Sequence, residues 1–413
     1  MEKSAQKDPL PRAVCALGIT QITAWGTSNY CLGVLAKPIA ADTGWELSVV
    51  YFGFTVALLA MAVVSTRVGR AIDRHGARAV MTLGTVLVSA GLFALSLVRS
   101  EAAYLAVWAF LGVAMRLCLY DAAFAGLVQV VPSRGRVAIS YLTLFGAFAS
   151  TVFWPVGHYF DEMIGWRHTL VAFAAINLAV CLPLNWFGLA HREAPGSAAA
   201  GATAHAARDG RPLEGAARRR ATALFALIVS LYSFVFGVVA VQLVPLLEAA
   251  GLATAAAVWV ASMKGFAQFG GRLVEIVFGR NLHAMTVARI AIGVLPFSYL
   301  LLYFSAGNFY AILGFTLLMG ASQGVVTIVR GALPLALFGT QGYGAVLGVI
   351  AAPAAIVGAI APTAFSLAAE AWGWTPAELL LVALAGASWI GIELMSRWVE
   401  RQRRMVLKEE STT

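Results

Sequence analysis

The stretch GRAIDRHGAR, Gly69 to Arg78, puts three arginines, an aspartate and a histidine between two long apolar runs. Its setting decides the reading. The chain has 413 residues, 60% of them hydrophobic and only 12% charged. Soluble domains carry about 25% charged residues, so a chain this apolar needs lipid against most of its surface. The charged stretch then reads as a loop at a membrane face. Glycine permits a sharp turn and a close helix approach. The acid can accept hydrogen bonds from a helix N-terminus or pair with an arginine.

Working outward, apolar runs of spanning length lie near 13–40, 47–66, 79–98, 102–130, 138–160 and 167–189, then near 221–247, 253–271, 285–305, 308–330, 342–368 and 376–396. A spanning helix needs about 20 such residues. The runs are too long, and lack the period of two, for barrel strands. The expected fold is all-α integral membrane, with twelve transmembrane helices in two pseudo-symmetric six-helix bundles. The bundles take 1–190 and 221–413, the second with a basic tail. Residues 191–220, rich in Ala, Gly and Arg, read as a linker. The polar opening MEKSAQKDPLPRA argues against a cleavable signal peptide.

Charge orients the chain. With the N-terminus inside, 24 of the 29 Lys and Arg fall in inner segments and helix ends, and only Lys37, Arg99 and Arg167 fall outside. This asymmetry predicts both termini in the cytoplasm and the linker with them. The net charge of +9 sits in short clusters between spans rather than on one soluble face, which excludes a nucleic-acid surface.

The halves repeat. Pro38 and Gly44 recur as Pro245 and Gly251, each 207 residues on. AISYLTLFGAFASTVFWP (Ala138 to Pro155) aligns with AVLGVIAAPAAIVGAIAP (Ala345 to Pro362) at the same offset. IGWR at Ile164 to Arg167 has a counterpart in WGWT at Trp372 to Thr375, one residue out of step. In the loop matching the opening stretch stands GRLVEIVFGR, Gly271 to Arg280, again Gly-Arg-x-x-acid with a later Arg. Two parallel six-helix repeats are the build of one large transporter architecture.

The opening stretch resembles the signature loop of the major facilitator superfamily, Gly-x-x-x-Asp-Arg-x-Gly-Arg-[Arg/Lys]. Gly69, Asp73, Arg74, Gly76 and Arg78 match, with Ala77 where a second basic residue often stands. The second copy keeps Gly271 and Glu275 and loses the Asp-Arg pair. The resemblance implies a loop that supports conformational exchange and stays clear of substrate. Trp25 followed by YCLGVLAKPIAADTGW is also similar to the first helix and loop of bacterial relatives of monocarboxylate porters.

Ionisable groups at membrane depth are costly and mark function by default. Arg116 and Lys264 are the two cations within spans. Asp121, five residues beyond Arg116, is about 140° away on a continuous helix, whereas Tyr120 shares the Arg116 face. Family antiporters often follow a fourth-helix arginine with Gln-Gly, and RLCLYDAA lacks that pair. Lys264 suits an anionic substrate, a carboxylate partner or titration during transport, with Gln268 one turn on. In helix 1, Gln21, Trp25 and Ser28 form a stripe with Asn29 beside it, fit for a cavity wall or for bonds between helices. Tyr232, Phe236 and Gln242 echo it in helix 7, and Gln323 adds a polar group in helix 10. The resemblance implies that helices 4 and 10 approach each other when the cytoplasmic side closes, so Asp121 and Arg330, two residues from Ile328 at the 207-residue offset, read as a gate, against each pairing within its own bundle.

These features predict a secondary active transporter that moves a small molecule, an organic anion or a drug-like compound, across a bacterial inner membrane by alternating access. A proton is the expected partner, lipid the surroundings and a monomer the expected state. No Walker loop encodes ATP drive and no cofactor is implied. The competing classes are a metalloid exporter using the thiols Cys31 and Cys118, against their reading as buried apolar filler, and a non-transporting sensor or scaffold. An enzyme is not expected. HExxH and GxSxG are absent, and His158 beside Asp161 is the only near-candidate pair.

Overall fold

The structure is a computed structural model. It describes residues 8–191, residue 193 and residues 210–412, apart from the side chains of 280 and 406–412. Most of the expected linker, and the tail cations among the masked positions, lie outside the described residues. The described residues form helices and no strands. The chain divides into two units, Met1–His205 with Thr340–Gly348, and Ala206–Gly339 with Val349–Thr413.

The first unit holds α1 (Pro9–Ala24), α2 (Leu32–Thr43), α3 (Leu47–His75), α4 (Ala77–Ser96), α5 (Glu101–Cys118), α6 (Tyr120–Val130), α7 (Gly135–Gly146), α8 (Ala149–Ile176) and α9 (Leu182–Gly188). The second holds α10 (Gly215–Ala249), α11 (Thr254–Phe278), α12 (Ala284–Tyr303), α13 (Phe309–Phe338), most of α14 (Tyr343–Trp372) and α15 (Trp374–Thr412). The start of α14 belongs to the first unit.

Among the described residues, nine helical stretches are long and apolar enough to cross a membrane. One of them, Pro132–Gly188, holds two consecutive spans, because Gly165 breaks it at φ 76. The first span is absent from the nine because it divides at Tyr30–Cys31 into shorter pieces. Helix α11 is absent because Lys264 and Gln268 dilute its hydropathy. Restoring these three gives the twelve expected spans. Phe266, Phe278, Phe304 and Leu367 are each more than 60% exposed, as a lipid-facing surface requires.

Two charged stretches expected as loops are largely helical. Helix α3 runs on through His75 and stops only at Gly76, where φ is 84. Helix α11 runs on to Phe278. Charge does not end a helix whose backbone bonds continue; in α3 the positive-φ Gly76 does. Helix α10 likewise starts at Gly215, before the apolar run begins.

Close packing organises each unit. In the first, a Cβ on Gly112 would stand 2.1 Å from the Ala57 carbonyl oxygen, so α3 and α5 touch backbone to backbone. The buried Tyr104 hydroxyl donates to Val50 O at 2.8 Å. At one end of this unit, the IGWR residues form a clamp. Trp166 Nε1 donates to Asp42 Oδ2 at 3.1 Å, and Arg167 Nη1 reaches both Ser96 O and Val98 O at 2.8 Å.

Candidate functional site

The fourth span is broken. Leu119 is extended, with φ −80 and ψ −169, and it separates α5 from α6. A continuous helix would have kept Arg116 and Asp121 apart. The break overturns that expectation by turning the Asp121 carboxylate back onto the Arg116 guanidinium, and the two form an ion pair. Arg116 is 5% exposed. Inside a membrane every freed backbone group needs a partner. Cys118 O loses its helical donor, and Gln21 Nε2 of α1 supplies one at 2.9 Å. Among the described residues, the Arg116 Nε is a buried donor with no partner.

The first span carries a π-helical turn, Trp25–Asn29, next to this break. Such bulges re-aim side chains and often mark functional sites. Trp25 Nε1 donates to Gln21 Oε1 at 3.1 Å. The Trp25 ring lies 5.0 Å from Tyr120 and 5.9 Å from Tyr30. Gln21, Trp25, Arg116, Tyr120 and Asp121 thus form one polar-aromatic cluster. Asn29 is half-buried at the end of the π turn. Ser28 leaves the expected stripe: it is fully buried, and its hydroxyl donates to Ala24 O of its own helix. A second π turn, Asn177–Cys181, went unread in the sequence. Asn177 Nδ2 donates to Thr27 Oγ1 at 2.7 Å and joins it to the first.

In the second unit, Gln268 Nε2 donates to Gln323 Oε1 at 2.8 Å. Glycines allow this reach. A Cβ on Gly324 would stand 2.2 Å from Gln268 O, and one on Gly320 would stand 2.8 Å from the Ala267 Cβ. Lys264 Nζ sits 5.6 Å from the Phe236 ring centroid, within cation–π range. Tyr232 is buried. Gln242 Nε2 bonds Ser366 Oγ at 2.6 Å, tying helices together.

The opening stretch builds its own site. Asp73 accepts from Gly344 N at 2.9 Å and from Ala345 N at 2.8 Å, so its carboxylate caps the start of α14. Approach is close because a Cβ on Gly69 would stand 2.1 Å from Gly344 O. Arg78 turns elsewhere: its Nε donates to Trp186 O at 2.7 Å, and its guanidinium lies 3.9 Å from the Trp186 ring centroid. Arg74 and Gly76 line a polar cavity of about 370 Å³ together with Asp73, His75, Gln129 and Tyr343. In the second copy, Gly271 is spent on helix packing, 2.4 Å from Ala321 O for a notional Cβ, and Glu275 is buried.

Arg330 lies half-buried on α13 in the second unit. Cys31 and Cys118 are buried, and each thiol donates to a carbonyl within its own stretch of chain, Ser28 O and Ala114 O. Among the described residues no three His, Cys, Asp or Glu group as metal ligands. His158 pairs with Glu162 at 3.4 Å on the exposed surface, rather than with Asp161.

No curated protein sequence matches the chain. Solved structures share its fold. The human organic anion transporter MFSD10 (TETRAN) superposes with a TM-score of 0.72 at 15% identity, covering 94% of this chain and 100% of that one. The transporter FucP in the outward conformation gives 0.65 at 15% identity, with coverage of 94% and 99%. A structure of the E. coli fucose:proton symporter FucP gives 0.62 at 14% identity, with coverage of 92% and 98%. The Major Facilitator Superfamily profile matches residues 18–298. A match over that much of the chain shows that the protein belongs to the major facilitator superfamily of membrane transporters.

Proposed function

We propose that the chain is a proton-coupled secondary transporter for a small organic anion, working by alternating access in a bacterial inner membrane with both termini in the cytoplasm. The observation that carries the substrate class is the Arg116 guanidinium. It is buried, partly neutralised by Asp121, whose chain neighbour Tyr120 lies against Trp25, and its Nε has no partner among the described residues. A carboxylate or similar anion arriving there would gain charge-assisted bonds while its carbon skeleton packs on the aromatic rings. Lys264, Gln268, Gln323, Tyr232 and Asn29 supply the remaining polar contacts of the reading. Two fold relatives, an organic anion transporter and a fucose:proton symporter, agree with an anion moved with a proton. Efflux of a drug-like compound is the competing direction.

Asp73 on the start of α14 acts in this reading as a latch that holds one conformation and lets go in the other. Asp121 and Arg330 are the proposed gate. The thiols Cys31 and Cys118 take no part, so their replacement leaves transport intact; loss of transport in that variant favours the metalloid reading.

Flux of a panel of organic anions into proteoliposomes under an imposed pH gradient tests the function. The expected result is gradient-driven uptake or release of an anion, with binding lost in Arg116→Ala and in Lys264→Ala. Truncating one buried charge-assisted contact costs roughly 2–5 kcal/mol. Unaltered affinity in both variants would redirect the search to neutral or cationic substrates.

A further inference from the structure

Gln129 supplies the opening stretch with an acceptor for Ala77 N. It lies half-buried at the far end of α6, one residue from its C-terminus. Its side chain crosses to the Gly76 turn. There Oε1 accepts from Ala77 N at 2.9 Å, and Nε2 donates to Ile72 O at 3.0 Å. Ala77 N is one of the donors that the start of α4 leaves without a helical partner. Ile72 O, near the end of α3, already accepts from Gly76 N at 2.9 Å and takes Gln129 as a second donor. A single amide therefore caps the start of α4 and ties it to the end of α3 across one turn. The side-chain chemistry is specific. A carboxylate has no donor for Ile72 O at neutral pH, and a lysine or arginine has no acceptor for Ala77 N. Asparagine is one methylene shorter than the reach requires.

Ile72 precedes Asp73 directly. The carbonyl that Gln129 holds is thus joined by one peptide unit to the residue whose carboxylate caps Gly344 N and Ala345 N. At its other end, α6 begins at the Leu119 break, with Tyr120 against Trp25 and Asp121 on Arg116. Helix α6 has 11 residues. At 1.5 Å per residue it spans about 16 Å as one rigid piece. It is free of the rest of the fourth span at Leu119, so movement at the polar-aromatic cluster can reach the turn without bending a continuous helix.

We propose that Gln129 is a positioning residue that couples the broken fourth span to the Asp73 latch. Through Ile72 O and Ala77 N it sets the Gly76 turn, and the turn sets the carboxylate against the start of α14. The inference rests on the latch reading given above. The polar cavity beside Gln129, Asp73, Gly342 and Tyr343 admits water to these amides once they are released, so their state can be read by exchange.

The experiment is amide hydrogen exchange on the full-length protein in lipid nanodiscs, comparing wild type with Gln129→Leu, Gln129→Glu, Asp73→Asn and Gln129→Leu/Asp73→Asn. No substrate is needed. Gln129→Leu should speed exchange in the Thr340–Gly348 peptide about fivefold, the factor that loss of one net hydrogen bond gives. Gln129→Glu should do the same, since it keeps the acceptor and loses the donor. In the Asp73→Asn background, Gln129→Leu should add nothing further at Thr340–Gly348 while still exposing Ala77. Two results overturn the proposal: unchanged exchange at Thr340–Gly348 in both Gln129 variants while Asp73→Asn raises it, or full additivity in the double variant. If Asp73→Asn itself leaves Thr340–Gly348 unchanged, the latch fails and the Gln129 proposal falls with it. A purely structural loss in Gln129→Leu would show as faster exchange throughout the first unit and would also reject the proposal.

Discussion

Arg116 and Asp121 show how a residue's role depends on backbone that its own letters do not reveal. Both are charged within an apolar run, and that cost was legible in the sequence. Their pairing was not. RLCLYDAA contains no proline or glycine, so nothing in it announces the extended Leu119. What stabilises the break lies elsewhere: Gln21, 97 positions from Cys118, bonds the freed carbonyl. The pair makes a specific stability prediction. Removing one partner of a buried ion pair costs about 3–5 kcal/mol, because the other charge stays behind without that counter-charge. Replacing both with apolar groups of similar size removes that penalty. Asp121→Leu and Arg116→Met should therefore each lower the melting temperature of the purified protein clearly. The double variant should melt above the less stable single one and show no transport. A double variant whose loss equals the sum of the singles would mean that the two side chains stabilise the fold independently.

At the scale of elements, the spans were legible because a membrane forces about 20 apolar residues per crossing. Their ends were less so. GRAIDRHGAR reads as a loop by charge, yet α3 keeps its backbone bonds through His75 and only Gly76 turns it. The close contacts were hidden too, since a glycine in an apolar run has the same letter whether it packs or not. Two glycines make opposite predictions. Gly324→Val drives a side chain into the Gln268 backbone, 2.2 Å from its oxygen, and should separate α11 from α13. Its cost should reach about 3 kcal/mol, the upper end of the overpacking range, and it should break the Gln268–Gln323 bond. Gly386→Ala in α15 meets nothing within 4 Å among the described residues and should be neutral or raise the melting temperature slightly. A scan in which the two variants melt alike would remove the backbone-contact account.

The N-terminal helix offers a pH test at the same scale. Asp8 caps α1 by accepting from Leu10 N at 3.0 Å, and the Arg134 Nη1 donates to Asp8 Oδ2 at 2.9 Å. The hydrogen bond from Arg134, with the Leu10 amide, holds the Asp8 carboxyl below the ordinary aspartate range. A carboxyl with a lowered folded pKa adds stability that is present above its unfolded pKa and is lost as pH falls through the folded one. Protection of the first amides of α1 should therefore hold at neutral pH and fall in acid below the ordinary aspartate range. Asp8→Asn should flatten that profile while leaving the Asp73 region unchanged. Both partners are well exposed, so the effect is local fraying and not global unfolding.

For the whole molecule, the repeat read from the sequence reappears in the backbone. Gly44 and Gly251 end the first span of each half at φ 71 and 106, and Gly165 and Gly373 separate the fifth and sixth at φ 76 and 89. Pro155 and Pro362 both lie inside helices. The proposed gate draws on that symmetry, since Arg330 stands two residues from the position 207 beyond Asp121. Arg116 now competes for the same carboxylate, which sharpens the test. A ligand or contact shifts a two-state equilibrium only by its difference between the states. A difference of about 1–3 kcal/mol moves populations roughly five- to 150-fold. Asp121→Arg removes the gate and sets two arginines side by side at positions 116 and 121, so it should stop transport. Arg330→Asp removes the gate alone and should slow it. In the double swap, the aspartate at 330 can pair with the arginine at 121 and relieve its repulsion with Arg116. If the gate exists, flux should recover to at least the level of Arg330→Asp. If Asp121 serves Arg116 alone, the double swap should stay as inactive as Asp121→Arg, and the gate would be withdrawn while the ion pair stands.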